Sequence, residues 1–221
     1  MLKIFIGYDP RQPIAYHVLC SSIIRNCSAP VQITPLILHT LPIKRQGLTQ
    51  FTFSRYLAPY LCNYHGISVF IDSDMLVLGD MAELLQHADD AVSVVPFENG
   101  LMFERPSVMV FNNGKCKTLT PNFIDNEANT PQSLSWADSV GYLPEEWNHL
   151  VGYAPNIPAK NIKLLHFTQG IPAYKECRFG EYAGLWFDEL KRMQDHVSWL
   201  EIMGNSVHAK PVLDRLKNAN Q

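Results

Sequence analysis

The stretch Ile67-Ser68-Val69-Phe70-Ile71-Asp72-Ser73-Asp74 decides how this chain is read. Its first five residues are uncharged and nearly all apolar, the pattern of a strand covered on both faces in a parallel sheet. The run then ends in two carboxylates. At positions i and i+2 off a strand end, Asp72 and Asp74 can point to the same side, with Ser73 pointing away. The C-terminal ends of parallel strands are where open α/β sheets take their ligands. Two like charges this close need a cation between them, or a proton on one of them. Hard oxygen ligands suit Mg²⁺ or Mn²⁺, ions that commonly bridge to substrate phosphates. The same pair also reads as turn or helix-capping aspartates; the buried strand in front of it favours the metal site.

Outward from this stretch the pattern is regular on its N-terminal side. Residues 2–8 form a first apolar strand, broken by Asp9-Pro10-Arg11-Gln12-Pro13. Ile14, Val18, Leu19, Ser22 and Ile23 recur at helical spacing. A second strand is expected over 32–38, followed by a loop to about residue 49. Phe53, Leu57, Tyr60 and Leu61 then form the stripe of another helix, closed by Gly66. Strand, helix, strand, helix, strand is the signature of a parallel α/β sheet. On the C-terminal side strands are expected over 91–96, 107–112 and 162–167, and helix ends and loop over 121–134. An amphipathic helix is expected over 182–200 and a short helical tail over 207–216. The whole reads as one domain over 1–221: a regular strand-helix half (1–80), a less regular half (91–175) and C-terminal helices (180–221).

Composition narrows the function. The 221 residues are 47% hydrophobic and 18% charged, which suits a packed core rather than disorder. With 18 basic and 21 acidic residues the net charge is −3, and no basic run exceeds Lys44-Arg45. That argues against nucleic acid as a partner. The longest uncharged stretches, 26–43 and 56–71, are interrupted by proline, asparagine or glycine, so no transmembrane segment is expected. The first residues lack the features of a signal peptide. The 5 cysteines have no metal-like spacing, consistent with reduced thiols in a cytoplasmic protein.

Other residues join the acid pair as candidates. Asp9 ends the first strand and so lies at the same sheet edge, although an Asp-Pro turn accounts for it equally well. Arg55 interrupts an apolar helix face, as a solvated charge or as a fixed guanidinium gripping a carboxylate or phosphate. His166 ends the strand 162–167 and can reach the side of Asp72 and Asp74; imidazole beside carboxylates suits Mn²⁺ better than Mg²⁺. Gly170 and Lys175 follow it in a turn that brings a cation able to hold a phosphate. Asp80-Met81-Ala82-Glu83 is a helix-capping pattern and is set aside. Trp136, Trp147, His149 and Tyr153 could stack on a sugar ring, with core packing the better account of each.

Together these residues resemble a glycosyltransferase of the GT-A fold, most similar to family 8 and its bacterial and phage relatives. Ile4-Phe5-Ile6-Gly7-Tyr8-Asp9 resembles the strand whose end holds the base and ribose of the donor. Phe53-Ser54-Arg55-Tyr56 resembles the helix whose arginine contacts the donor. Val69 to Leu76 resembles the D-x-D strand, and Phe111-Asn112-Asn113-Gly114 the F-N-x-G segment that lines the donor sugar. Leu143-Pro144-Glu145-Glu146-Trp147-Asn148 is similar to L-P-x-x-W-N, and Leu165 to Gly170 to the late strand whose histidine completes the metal site.

The resemblance implies a mixed, mainly parallel sheet flanked by helices, with a nucleotide-binding half over 1–80 and a donor-sugar and acceptor half over 91–175. It also implies a Mn²⁺ or Mg²⁺ ion on Asp72, Asp74 and His166. A nucleotide-diphosphate sugar, expected to be a UDP-sugar, would contact Gly7, Tyr8, Asp9, Arg55, Asp72, Ser73, Asp74, Asn112, Asn113, Gly170 and Lys175. Transfer would proceed with retention to a saccharide, lipid-linked saccharide or protein, with the leaving phosphate assisting the acceptor hydroxyl. There are two departures. The family's H-x-x-G-x-x-K-P-W is altered, Gly170 coming one place later and Lys175 following Pro172. The D-Q-D element is absent, leaving Asp138, with Arg55, as the catalytic assignment. Two other readings compete: a haloacid-dehalogenase-like phosphatase with Asp72 as nucleophile, and a sugar- or nucleotide-binding module without turnover.

Overall fold

Every apolar residue of the central stretch is used. In the computed structural model, which describes residues 1–98, 100–195 and 197–219, β3 (Ile67–Ile71) lies between β1 (Leu2–Gly7) and β6 (Val108–Asn112) in a six-stranded sheet. The outer strands are β2 (Val31–Leu36) beside β1, then β5 (Val92–Val94) beside β6 and β7 (Val140–Tyr142) at the far edge. β1 runs parallel to β2 and to β3, and β5 runs parallel to β7. β6 is antiparallel to both of its neighbours, so one strand of the sheet runs against the others. This is the mixed, mainly parallel sheet expected.

The two-residue period divides the strands between two cores. Phe5, Phe70, Met109 and Phe111 pack on one face with Phe51, Tyr56, Leu57 and Trp136. Ile4, Ile6, Val69, Ile71, Val108 and Val110 pack on the other with Leu19 and Ile23 of α1 (Pro13–Arg25) and with Trp147. Trp136 and Trp147 are therefore core residues, while Tyr153 is exposed. Gly7 belongs to the first core: a Cβ there would come within 2.3 Å of the Phe51 ring.

A second sheet was not legible in the sequence. β4 (Met75–Val77), β9 (Leu164–His166) and β8 (His149–Leu150) form it in that order, β4 antiparallel and β8 parallel to β9. Two or three residues are too few to show a period. The expected strand over 162–167 contracts to β9, and the expected helix around Phe53 to Leu61 becomes a 3₁₀ turn, Ser54–Leu57, running into α2 (Ala58–Leu61). Gly66 stands just before β3 at a positive φ of 70°, as a left-handed turn requires. Residues 121–134 carry one short α-helix, α3 (Pro121–Asp125), capped by Thr120, and a 3₁₀ turn, Pro131–Ser133.

The helix expected over 182–200 is two helices. α4 (Ala183–Gln194) stops before Asp195, which is extended, and Ser198 opens α5 (Trp199–Met203) with a reciprocal capping box to Glu201. α6 (Ala209–Ala219) follows. Residues 196, 220 and 221 of the expected C-terminal region lie outside the described residues. No helix among the described residues is long and apolar enough to cross a membrane.

α4 is pinned to α1 by a buried charge. Glu189, 2% exposed, accepts from Ser21 Oγ at 2.7 Å and from Arg25 Nε at 2.9 Å. Arg25→Ala leaves that carboxylate with Ser21 alone and is expected to cost about 1–3 kcal/mol. For a chain of this size that is a Tm lower by roughly 3–10 °C. An unchanged Tm in thermal unfolding would show that the pair contributes nothing.

Candidate metal centre

The sheet junction explains why Asp72, Asp74 and His166 meet. Chain leaving β3 at Ile71 passes through Asp72-Ser73-Asp74 and at once becomes β4, whose Met75 lies opposite His166 of β9. The Phe167 amide donates to the Asp74 carbonyl at 2.9 Å, closing the ladder beside the acid pair. One ligand atom from each of Asp72, Asp74 and His166 lies within 4.8 Å of the others. His166 Nε2 is 3.4 Å from Asp74 Oδ1. The three expected metal ligands are thus gathered at the C-terminal edge of β3.

Burial makes this costly to leave without a cation. Asp72 is 6% exposed and His166 2%. Asp72 Oδ1 and Asp74 Oδ1 are buried without a hydrogen-bond partner, as is the hydroxyl of Ser73. Arg55 offsets part of the charge: its Nη2 lies 3.2 Å from Asp72 Oδ1, near enough for an ion pair although not aligned as a hydrogen bond. The rest of that guanidinium is committed, Nε to the Phe51 carbonyl at 3.2 Å and Nη1 to the Pro106 carbonyl at 2.7 Å. Arg55 is a fixed, 8% exposed guanidinium gripping a carboxylate, one of the two roles its position allowed. Burial pushes the Asp72 carboxyl up to about 7, against the pull of Arg55 and with the push of Asp74. Burial by itself would lower the His166 imidazole, but the carboxylates of Asp74, Asp72 and Glu104 outweigh it and raise it. Two buried oxygens lacking donors, an imidazole and a surplus of negative charge fit a divalent cation, and the mixed N/O set fits Mn²⁺.

The strand register places the other candidates. Ile6 pairs with Ile71, so Gly7, Tyr8 and Asp9 run alongside the acid pair at the same edge. Asp9 is buried and gripped by Arg11, whose hydrogen bonds hold its carboxyl below the usual range. Tyr8 stands edge-on to Tyr16. Gly170 sits at φ 122° beneath Tyr174 and Cys177, and Tyr174 reaches back to Gln12 with an O–H···O of 2.6 Å. Lys175 is exposed on the same loop.

Three expected residues are elsewhere. β6 runs antiparallel to β3, with Val108 opposite Ile71 and Asn112 opposite Ile67. Asn112 is therefore four residues from the site, roughly 13 Å along the strand. It bonds the Ala88 carbonyl, and Asn113 is buried between Ser68 and the His65 carbonyl. Phe111-Asn112-Asn113-Gly114 thus resembles the donor-lining segment in letters but stands at the wrong end of the strand, where asparagines complete a turn. Asp138 is likewise distant: it is exposed and precedes Val140, which pairs with Val92 at the end remote from Asp72. Neither Asn112, Asn113 nor Asp138 is brought to the metal centre.

The residues in their place are Glu104 and Asn148. Glu104, 8% exposed, accepts from Ser107 Oγ at 2.8 Å, and its Oε2 is 3.7 Å from His166 Nδ1. Asn148, 1% exposed, has Oδ1 2.9 Å from that same nitrogen. Asn148 lay within a quoted motif without a role. Glu104 sits in a 3₁₀ turn, Met102–Ser107, that no periodicity announces.

Comparison with known proteins bears on the fold. No family model matches the chain. Protein CDI of Arabidopsis thaliana is 33% identical over 227 residues, covering 86% of each chain. Among solved structures, the bifunctional glycosyltransferase WbbM aligns with a TM-score of 0.63 at 17% identity over 86% of this chain and 49% of its own. The glycosyltransferase GlyE of Streptococcus pneumoniae TIGR4 aligns with a TM-score of 0.62 at 16% identity over 85% and 59%. The chain thus spans less than two thirds of WbbM and GlyE. The galactosyltransferase LgtC, solved with donor and acceptor sugar analogues, aligns with a TM-score of 0.60 at 11% identity over 90% and 99%. These likenesses show the fold, that of the GT-A glycosyltransferases.

The two raised groups set a pH dependence. Between its ordinary value of 3.8 and about 7, Asp72 holds more proton folded than unfolded. His166 does the same from its ordinary 6.5 upward. In metal-free protein both make stability fall as pH rises through this window. Tm in EDTA is therefore expected to drop between pH 5 and pH 8, and to drop less in Asp72→Asn. Equal slopes for the two proteins would contradict the assignment.

Proposed function

The chain belongs to the family of protein CDI of Arabidopsis thaliana, and we propose that it transfers a sugar from a nucleotide-diphosphate donor, held through a divalent cation, to a hydroxyl-bearing acceptor. The observation that carries this reading is the convergence of Asp72, Asp74 and His166 at the ligand edge of a GT-A sheet. Mn²⁺ is the ion that suits the donor set, and a UDP-sugar the donor that the family 8 resemblance implies. Retention of configuration and an acceptor that is a saccharide, a lipid-linked saccharide or a protein belong to the same reading.

The residues divide the work as follows. Asp72, Asp74 and His166 hold the cation, which supplies positive charge where a departing diphosphate gains negative charge. Arg55 favours the ionised form of Asp72 and aims it, from a fixed position because backbone carbonyls occupy the rest of its guanidinium. Gly7, Tyr8 and Asp9 form the strand end against which the nucleoside lies. The Gly170–Lys175 loop, with its one lysine, flanks the diphosphate. A phosphatase using Asp72 as nucleophile is not favoured, since that carboxylate is 6% exposed and tied to Arg55.

Thermal unfolding with UDP or GDP, each with Mn²⁺, Mg²⁺ or EDTA, tests the reading. A nucleotide at a hundred times its dissociation constant stabilises the folded state by about 2.7 kcal/mol, a Tm rise of roughly 5–10 °C. The rise is expected with UDP and Mn²⁺ and is expected to vanish with EDTA and in Asp72→Asn/Asp74→Asn. A rise with none of the nucleotides would overturn it.

A further inference from the structure

His166 can serve a metal only if its Nε2 carries the lone pair and its ring is held still. Both conditions are met by residues behind the ring, on the side away from Asp74. Asn148 Nδ2 donates to the backbone carbonyl of Glu104 at 3.2 Å. That bond fixes the amide so that Oδ1 is the atom facing His166 Nδ1 at 2.9 Å. An amide oxygen accepts only, so Nδ1 must bear a hydrogen, and in the neutral imidazole the lone pair falls on Nε2, the nitrogen that faces Asp74. The Glu104 carboxylate adds a negative charge on the same side, 3.7 Å from Nδ1. It is oriented by the hydroxyl of Ser107, immediately before the strand that pairs with β3. Glu104 thus acts twice, through its carbonyl on Asn148 and through its carboxylate on the imidazole. Its carboxylate is buried and stands behind the ligand, and it is not among the group whose ligand atoms converge.

We infer that Glu104 is a positioning residue for the metal centre, which with Asn148 fixes the tautomer and orientation of His166 and makes its Nε2 a stronger ligand. Partners of this kind behind a metal-bound imidazole typically change metal affinity 10–100-fold when altered. The inference rests on the reading of Asp72, Asp74 and His166 as metal ligands.

The test measures Mn²⁺ affinity from the spectroscopic signal of the free aqua ion, with no nucleotide present. Glu104→Gln keeps the shape, the carbonyl to Asn148 and an acceptor for Ser107, and removes only the charge. It is expected to weaken Mn²⁺ binding about tenfold, while Glu104→Asp, which keeps the charge, recovers most of the loss. In a His166→Ala background Glu104→Gln is expected to have no further effect, because its action runs through the imidazole. Should Glu104→Gln fail to fold, Asn148→Ser, which removes the acceptor at Nδ1, is expected to weaken binding to a similar degree. Unchanged affinity in Glu104→Gln, or in Asn148→Ser where that variant stands in, would overturn this inference alone. A full tenfold loss persisting in the His166→Ala background would also overturn it, by making Glu104 a ligand. No Mn²⁺ binding by the unaltered protein would overturn the metal reading and this inference with it.

Discussion

Much of the structure depends on placing carboxylates inside a protein at the end of its central strand. A buried carboxylate is tolerable only with donors or opposite charge close by, and here Asp72 and Glu104 are both mostly enclosed, with Asp74 partly so. Arg55 supplies one positive charge and is held by two backbone carbonyls. His166 supplies a group that can carry a proton or bind a cation. The remaining deficit is what makes the site receptive to a divalent ion. Replacing such buried charges by well-packed apolar residues is often neutral or stabilising, so the cluster fits a binding role better than a stabilising one.

The fold serves this cluster through register. β3 is held between β1 and β6, and its pairing sets which neighbours share its end. Parallel pairing with β1 brings Gly7, Tyr8 and Asp9 to the acid pair. Antiparallel pairing with β6 brings the beginning of that strand, and therefore Pro106, Ser107 and Glu104, while sending Asn112 to the other end. The small sheet does the rest, because β4 follows Asp74 without an intervening loop and β9 lays His166 directly against it. The candidate metal centre sits where the two sheets share one chain segment.

This division also explains what could be read from the sequence. β3 and its acids were legible because a strand buried on both faces is a continuous apolar run and charges at its end are conspicuous. His166 was legible as a histidine after another such run. Asp80 was rightly set aside: its carboxylate caps the turn that follows, accepting from the Ala82 amide. Asn112 and Asn113 stand at the far end because strand direction is not written in a strand's residues, and Asp138 does because it precedes β7, a strand of three residues too short to show a period. An asparagine after an apolar run sits at the site if the strand runs one way and at the far end if it runs the other. Glu104 and Asn148 were hidden differently, as polar residues in short irregular segments whose partners are 62 and 18 positions away in sequence. The split between α4 and α5 was readable in Ser198 and Glu201 but masked by the amphipathic pattern that continues across it.

The measurement that bears most directly on this account is the position of the ion itself. A crystal of the protein soaked in Mn²⁺, with data collected for anomalous scattering, is predicted to show a manganese peak ligated by Asp72, Asp74 and His166 Nε2. The Asn148 oxygen should remain on His166 Nδ1. Diffraction showing no manganese at these residues, with Asp74 still paired to His166, or manganese held by another group, would contradict it.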